Sequence, residues 1–189
     1  MTRPLRADAL RNKEKLLTVA ATAFSEDGVD VPLEIIAARA GVGVGTLYRH
    51  FPHRNALIEA AYRHEVERLC DAAPELISSC VPASEALREW MHAFVHYAGT
   101  KKGMADALRS VVGSDTTLLG HTRSQIVAAL RVLLTAGAQD GSLRSDADPE
   151  DVMRAMGGVW NVGPGPDWED QVRRLLALLI DGLRYGAPR

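Results

Sequence analysis

Four residues within a run of five, Thr46, Tyr48, Arg49 and His50, can each donate hydrogen bonds to phosphate oxygens or to base edges. Val44 and Gly45 stand just before them and are small, which lets a backbone approach another surface closely. If this stretch is helical, its N-terminus carries partial positive charge and attracts a phosphate. Arg39 and Arg54 flank the run, and Arg3 and Arg6 lie on an arm expected before the first helix. The chemistry implied is recognition of nucleic acid.

These side chains need elements to hold them. The spacing predicts a helix from about Leu33 to Ala40, ended by Gly41, and a second from about Val44 to Phe51, closed by Pro52. Gly41 tolerates the positive φ that a tight turn between two helices requires. Ala37 sits four residues before it and is small enough for a close crossing. Ile36, Ala40, Val42 and Leu47 supply the pocket between the two helices. That arrangement is a helix-turn-helix, whose second helix can lie in a major groove. A helix over about 8–26 precedes it, with Leu16, Leu17, Ala20, Ala21 and Phe24 at helical spacing, and a long connector over about 54–71 follows.

Beyond the connector, apolar residues again recur at three and four between Gly and Pro breaks. They predict helices at about 83–98, 102–112, 117–138, 149–160 and 167–184, with Asp148 as a cap and Pro149 at the first position of the penultimate one. No segment alternates with period two. The expected fold is all-α with about nine helices, divided into residues 1–53 and 54–189.

Composition narrows the function. With 47% hydrophobic and 24% charged residues and a net charge of −2, the 189-residue chain has enough apolar material for a core and is neither disordered nor fibrous. Residues 1–55 hold eight Lys and Arg against six Asp and Glu, while the remainder holds 14 against 18. A mildly basic head on an acidic body suits DNA at the N-terminal end. The longest apolar run, Leu175 to Ile180, is far too short for a bilayer, and no signal-like segment opens the chain. A cytoplasmic protein with no membrane partner is expected. The run from Gly41 to Gly45 resembles a nucleotide loop only superficially, since it follows a helix and lacks a Lys. His92 and His96, four apart on one helix with Glu89 three residues before and His121 nearby in sequence, could face a metal, but no complete ligand set stands out. Cys70 and Cys80 lack the spacing of a zinc site. No catalytic constellation and no cofactor is evident.

The run from Ile36 to Leu57, IAARAGVGVGTLYRHFPHRNAL, resembles the DNA-binding signature of the TetR family of bacterial transcriptional regulators. Gly157-Gly158 and the Gly/Pro run at 163–166 make it similar to actinobacterial members. The resemblance implies a homodimer that binds a pseudo-palindromic double-stranded DNA operator, often as a repressor, and releases it when a small-molecule effector binds. It assigns Thr46, Tyr48, Arg49 and His50 to the recognition helix, and Arg54 to a phosphate contact where the family usually has Lys. One departure stands out: the family often caps the first helix of the motif with Ser or Thr, whereas Val31-Pro32-Leu33 occupies that place here.

The final helix is apolar on too many sides for a surface helix, so it must bury a second face. Read with the family, that face makes a four-helix bundle with a second subunit. Val152, Met156 and Val159, with Trp168, Val172, Leu175, Leu176, Leu179 and Leu183, are the expected interface. Trp90, Phe94, Tyr97, Met104, Leu108, Met156 and Trp160 are candidates for the effector pocket. The competing readings are a metal-responsive regulator and a helical enzyme that does not bind DNA.

Overall fold

The computed structural model describes residues 3–79, 82–112, 117–163 and 165–186, with side chains from Leu10 onward except at 107, 110–112 and 117. Among them are nine α-helices and no strand. They are α1 (Arg3–Glu26), α2 (Leu33–Ala40), α3 (Val44–His50), α4 (Arg54–Ser79), α5 (Ala83–Gly103), α6 (Ala105–Val112), α7 (Thr117–Gln139), α8 (Pro149–Met156) and α9 (Trp168–Arg184). No helix is long and apolar enough to cross a membrane.

Several helices run past the breaks expected of them. α1 begins at Arg3, so Arg3 and Arg6 occupy helical backbone and not an extended arm; their side chains lie outside the described residues. α4 continues through Pro74 to Ser79. Pro74 is exposed, so water can replace the backbone bond that its ring prevents, and its carbonyl accepts the Ser78 hydroxyl at 2.9 Å. Gly99 does not stop α5, which ends at Gly103. There a Cβ would lie 2.7 Å from the Ser25 backbone, so the approach of these two segments requires glycine. α8, in contrast, is shorter than expected. Past Met156 the Gly157-Gly158 pair tightens into a 3-10 turn that ends at Asn161.

The chain packs as two compact units, Met1–Glu65 with Gly99–Thr116, and Val66–Ala98 with Thr117–Arg189. The core of the first contains Leu16, Ala20 and Phe24 of α1, Ile36 and Ala37 of α2, Leu47 of α3, and Leu57, Ile58 and Tyr62 of α4. Met104 and Leu108 are also buried there. The second unit is built on Trp90, Met91 and Phe94 of α5, Leu130 and Leu133 of α7, Met156 of α8, and Val172, Leu176 and Ile180 of α9.

In the second unit, helix ends are tied by residues remote in sequence. Asp140 accepts the backbone N–H of Ala83 at 2.6 Å and Ser142 Oγ accepts that of Ser84 at 3.0 Å, so the turn after α7 caps α5. α8 is capped locally by Asp148, which accepts from the Glu150 and Asp151 amides, with Pro149 in the first turn as expected. Arg123 of α7 reaches Glu150 at 2.6 Å.

Desolvation raises the affinity of the Asp140 carboxyl for a proton, but donation from Ala83 and Ser142 outweighs it and holds the group below the usual carboxylate range. A group with a depressed native pKa contributes stability above its unfolded value and loses it as pH falls through the native one. Asp140→Ala is therefore expected to destabilise the protein by about 1 kcal/mol at neutral pH. In urea unfolding, the difference from the wild type should shrink as pH falls below about 4.

Candidate nucleic-acid interface

α3 is seven residues long and buries Leu47 alone, so its position is set from outside. The turn before it does most of this. Gly41 closes α2 at φ +67, ψ 29, with the Val42 amide bonding back to the Ala37 carbonyl at 3.0 Å. That 6→1 bond together with the left-handed glycine is a Schellman-type ending, as the sequence predicts. Ile36, Ala37 and Leu47 are fully buried at the crossing. Phe51 is buried directly after α3 and anchors its other end.

What remains of α3 faces outward. Val44, Gly45, Tyr48, Arg49 and His50 are exposed, and Thr46 is half-buried. Gly43 is the N-cap and no side chain bonds across the start of the helix. A Cβ on Gly45 would touch nothing within 4 Å, and one on Gly43 would meet only Thr46 Oγ1 at 3.9 Å. Neither has positive φ. The fold itself thus gives no reason for glycine here, whereas a surface that must approach the backbone does. Ile35 of α2 and Val44 add exposed apolar area beside the polar residues.

Three of the residues expected to touch DNA already have partners within the chain. The Tyr48 hydroxyl donates to Glu34 Oε1 across α2 and α3 at 3.3 Å, and Tyr48 is still 42% exposed. Arg39 forms an exposed ion pair with Asp27. Arg54 differs most from expectation: its Nη1 donates to the carbonyls of Val29 and Val31 at 2.6 and 2.7 Å, part-buried. Sequence reasoning missed His53, whose Nδ1 accepts the Ala56 amide at 3.1 Å and caps α4; a His directly before a predicted helix was the available signal. Asp27 and Glu34 were also missed as the partners of Arg39 and Tyr48.

The other predicted residues distribute unevenly. Trp90, Phe94, Tyr97 and Met156 are buried in the second unit, and Met104 and Leu108 belong to the first. The aromatic trio is in mutual contact: Trp90 and Phe94 stack with centroids 6.2 Å apart, and Phe94 and Tyr97 meet tilted at 5.7 Å. The Trp90 indole N–H donates to the Leu69 carbonyl at 2.7 Å. Trp160 is 40% exposed. Two cavities of the second unit, about 410 and 400 Å³, are lined by none of these residues. Of the expected interface, Val152, Met156, Val159, Trp168, Val172, Leu176 and Leu183 are buried within the single chain. They lie on the inner faces of α8 and α9, with Val159 in the 3-10 turn between the two helices. The outer apolar face of α9 is Leu175, Leu178 at 70% exposure and, just past the helix, Tyr185 at 82%, with Leu179 half-buried. His92 is exposed and lies 3.6 Å from Glu89, and among the described residues no group of three or more His, Cys, Asp or Glu is arranged to hold a metal. Cys70 is half-buried, its thiol pushed up to about 11 by desolvation and by Asp71; Cys80 lies outside the described residues.

Known proteins with this architecture share the motif and its context. Residues 16–61 match the family model described as bacterial regulatory proteins, tetR family, and residues 82–185 match the SbtR-like transcriptional regulator C-terminal domain. The crystal structure of a TetR transcriptional regulator from Streptomyces coelicolor is 50% identical, with a TM-score of 0.85 over 93% of this chain and 99% of that one. A TetR regulatory protein from Mycobacterium vanbaalenii is 35% identical, with a TM-score of 0.77 over 96% and 99%. The transcriptional repressor KstR2 of Rhodococcus jostii is 26% identical over 184 residues, 90% of each chain.

Gly41 of the turn and Gly45 of α3 should respond oppositely to the same substitution. Gly41→Ala forces a side chain into the left-handed region and should cost about 1–2 kcal/mol. Gly45→Ala places a methyl in open space on a helix and should stabilise by up to about 1 kcal/mol. Thermal unfolding of both variants measures the contrast.

Proposed function

Because the chain belongs to the TetR family of bacterial transcriptional regulators and is thus a DNA-binding protein, we propose that it is a repressor. It binds a pseudo-palindromic operator as a homodimer and leaves it when a small-molecule effector is bound. The observation that carries this reading is α3 itself: a helix held by one buried leucine and a glycine turn, presenting Thr46, Tyr48, Arg49 and His50 behind an unobstructed N-terminus.

Val44 and Gly45 bring the start of α3 against a phosphate, which its uncapped amides receive. Tyr48, Arg49 and His50 then reach base edges or neighbouring phosphates, and Tyr48 exchanges its long bond to Glu34 for one to DNA. One motif reads half a site, so a second copy is required to read a palindrome. Of the expected interface, Leu175 is exposed and Leu179 half-buried in one chain, and the exposed Leu178 and Tyr185, which were not part of that expectation, extend the same outer face of α9 for a partner to cover. An effector taken up by the second unit changes the angle and spacing of the paired α4 helices, and two half-sites about one DNA turn apart can no longer be matched together. The similarity to a named repressor supports repression over activation.

Fluorescence anisotropy with a labelled duplex from upstream of the protein's own gene, against a scrambled duplex, tests the reading. Specific binding by two chains, weakening steeply with salt, is the expected result. Equal binding to both duplexes would count against it. Arg49→Ala and Tyr48→Ala should each cost about 1–3 kcal/mol of operator affinity while leaving the unfolding temperature nearly unchanged. Leu178→Glu should shift sedimentation to the monomer without loss of helical signal, and weaken operator binding with it.

A further inference from the structure

We propose that Arg54 is a positioning residue for DNA binding, which fixes the entry of α2 by donating from one guanidinium nitrogen to two backbone carbonyls. The proposal rests on the DNA-binding reading, since the element it positions is the helix-turn-helix.

The α1–α2 turn, residues 27–32, holds itself by the buried Val31 side chain and one long backbone bond, from the Val31 amide to the Gly28 carbonyl at 3.4 Å. It opens at Gly28, whose φ of +85 only glycine adopts readily. It ends at Pro32, the N-cap of α2, which has no backbone N–H and no side-chain capping bond. A Ser or Thr at that place would fix the start of α2 from within. Here the amides of Ile35 and Ile36 return to the Pro32 carbonyl at 3.0 and 3.3 Å, which begins the helix without orienting it.

Arg54 supplies the orientation from α4. Its Nη1 carries two hydrogens, and both are used, one toward Val29 at 2.6 Å and one toward Val31 at 2.7 Å. Charge-assisted bonds of this length are stronger than neutral ones, and partial burial shields them from salt. The base of the side chain is held in turn, because His53 caps the first turn of α4. On the other side of the turn, Arg39 of α2 pairs with Asp27. That pair is exposed and contributes little alone. It acts in the same direction, so arginines from α2 and α4 hold both ends of one turn.

The geometry separates this role from a phosphate contact. A phosphate ligand presents its charge outward, whereas this nitrogen is turned onto the chain. It also gives Arg a purpose that Lys serves poorly: an ammonium has donors enough for two carbonyls but sits on a stem one atom shorter, so it falls short of the point from which Nη1 meets both. A shift of the α4 N-terminus is passed through the 29 and 31 carbonyls to the start of α2, and through the Gly41 turn to α3.

Full-length Arg54→Met and Arg54→Lys test this, with hydrogen exchange at the Val31, Ile35 and Ile36 amides and anisotropy on the upstream duplex over a range of salt. Met keeps the aliphatic stem and removes the donors. The expected result is exchange faster by about tenfold or more at those amides, the equilibrium effect of one charge-assisted bond. Affinity should fall while the slope of log K against log salt stays that of the wild type, and Arg54→Lys should resemble Arg54→Met although its charge is intact. A slope lower by about one in Arg54→Met with exchange unchanged would identify a phosphate contact and overturn the proposal. Wild-type behaviour of Arg54→Lys in both measurements would overturn it too. Exchange is read without DNA, so a wild-type protein that binds no duplex defeats the DNA-binding reading and leaves this one to be judged by exchange.

Discussion

A helix of seven residues does not hold its shape in water, because its nucleation cost is never recovered within so short a length. α3 exists only where its neighbours keep it, and it gives them one fully buried side chain, Leu47, to hold. Most of the first unit can be understood from that constraint. The left-handed glycine at 41 sets the direction in which α3 leaves α2, Ile36 and Ala37 make the crossing tight, and Phe51 closes the far end. The return for so little burial is a helix with nearly its whole circumference free. A longer helix with more buried residues would be firmer and would present less of itself to a groove.

The same constraint explains which parts of the site were legible in sequence. Gly41, Ala37 and Leu47 are local: their spacing alone dictates a turn, a close crossing and a pocket, and the structure has all three. Arg54 is different. Its partners are main-chain carbonyls more than twenty residues away, and a carbonyl leaves no mark on the residue type that bears it. An arginine near a DNA-binding motif therefore reads as a phosphate ligand until its nitrogen is seen to point inward. The exposed glycine at 45 shows the converse, since the fold neither needs it nor forbids a larger residue.

Helix existence was also easier to read than helix limits. Pro74 and Gly99 carry breaking propensity, yet α4 and α5 run through them, because tertiary packing outweighs a local preference of a few kcal/mol at most. In α9 the breadth of the apolar surface was visible, but not its division. Periodicity shows that Val172, Leu176 and Leu183 share a side with Trp168; it cannot say whether that side meets the chain's own core or a partner. The structure assigns that face to the core and leaves Leu178 and Tyr185 outside it.

Two helix starts in this protein are secured by residues that sequence proximity does not reveal. α5 begins on Asp140 and Ser142, which come nearly sixty residues later, and α2 begins at a proline whose turn is held by Arg54. The two cases have a common cause. A helix interior satisfies its own backbone, so packing can place it with apolar side chains alone, while each terminus leaves donors or acceptors that something must meet. Where a local Ser, Thr or Asp is present, as Asp148 is for α8, the helix can start wherever the chain delivers it. Where it is absent, the start of the helix becomes tied to another element, and the two move together. The loss of a capping hydroxyl at Pro32 thus makes the orientation of the DNA-reading motif depend on α4.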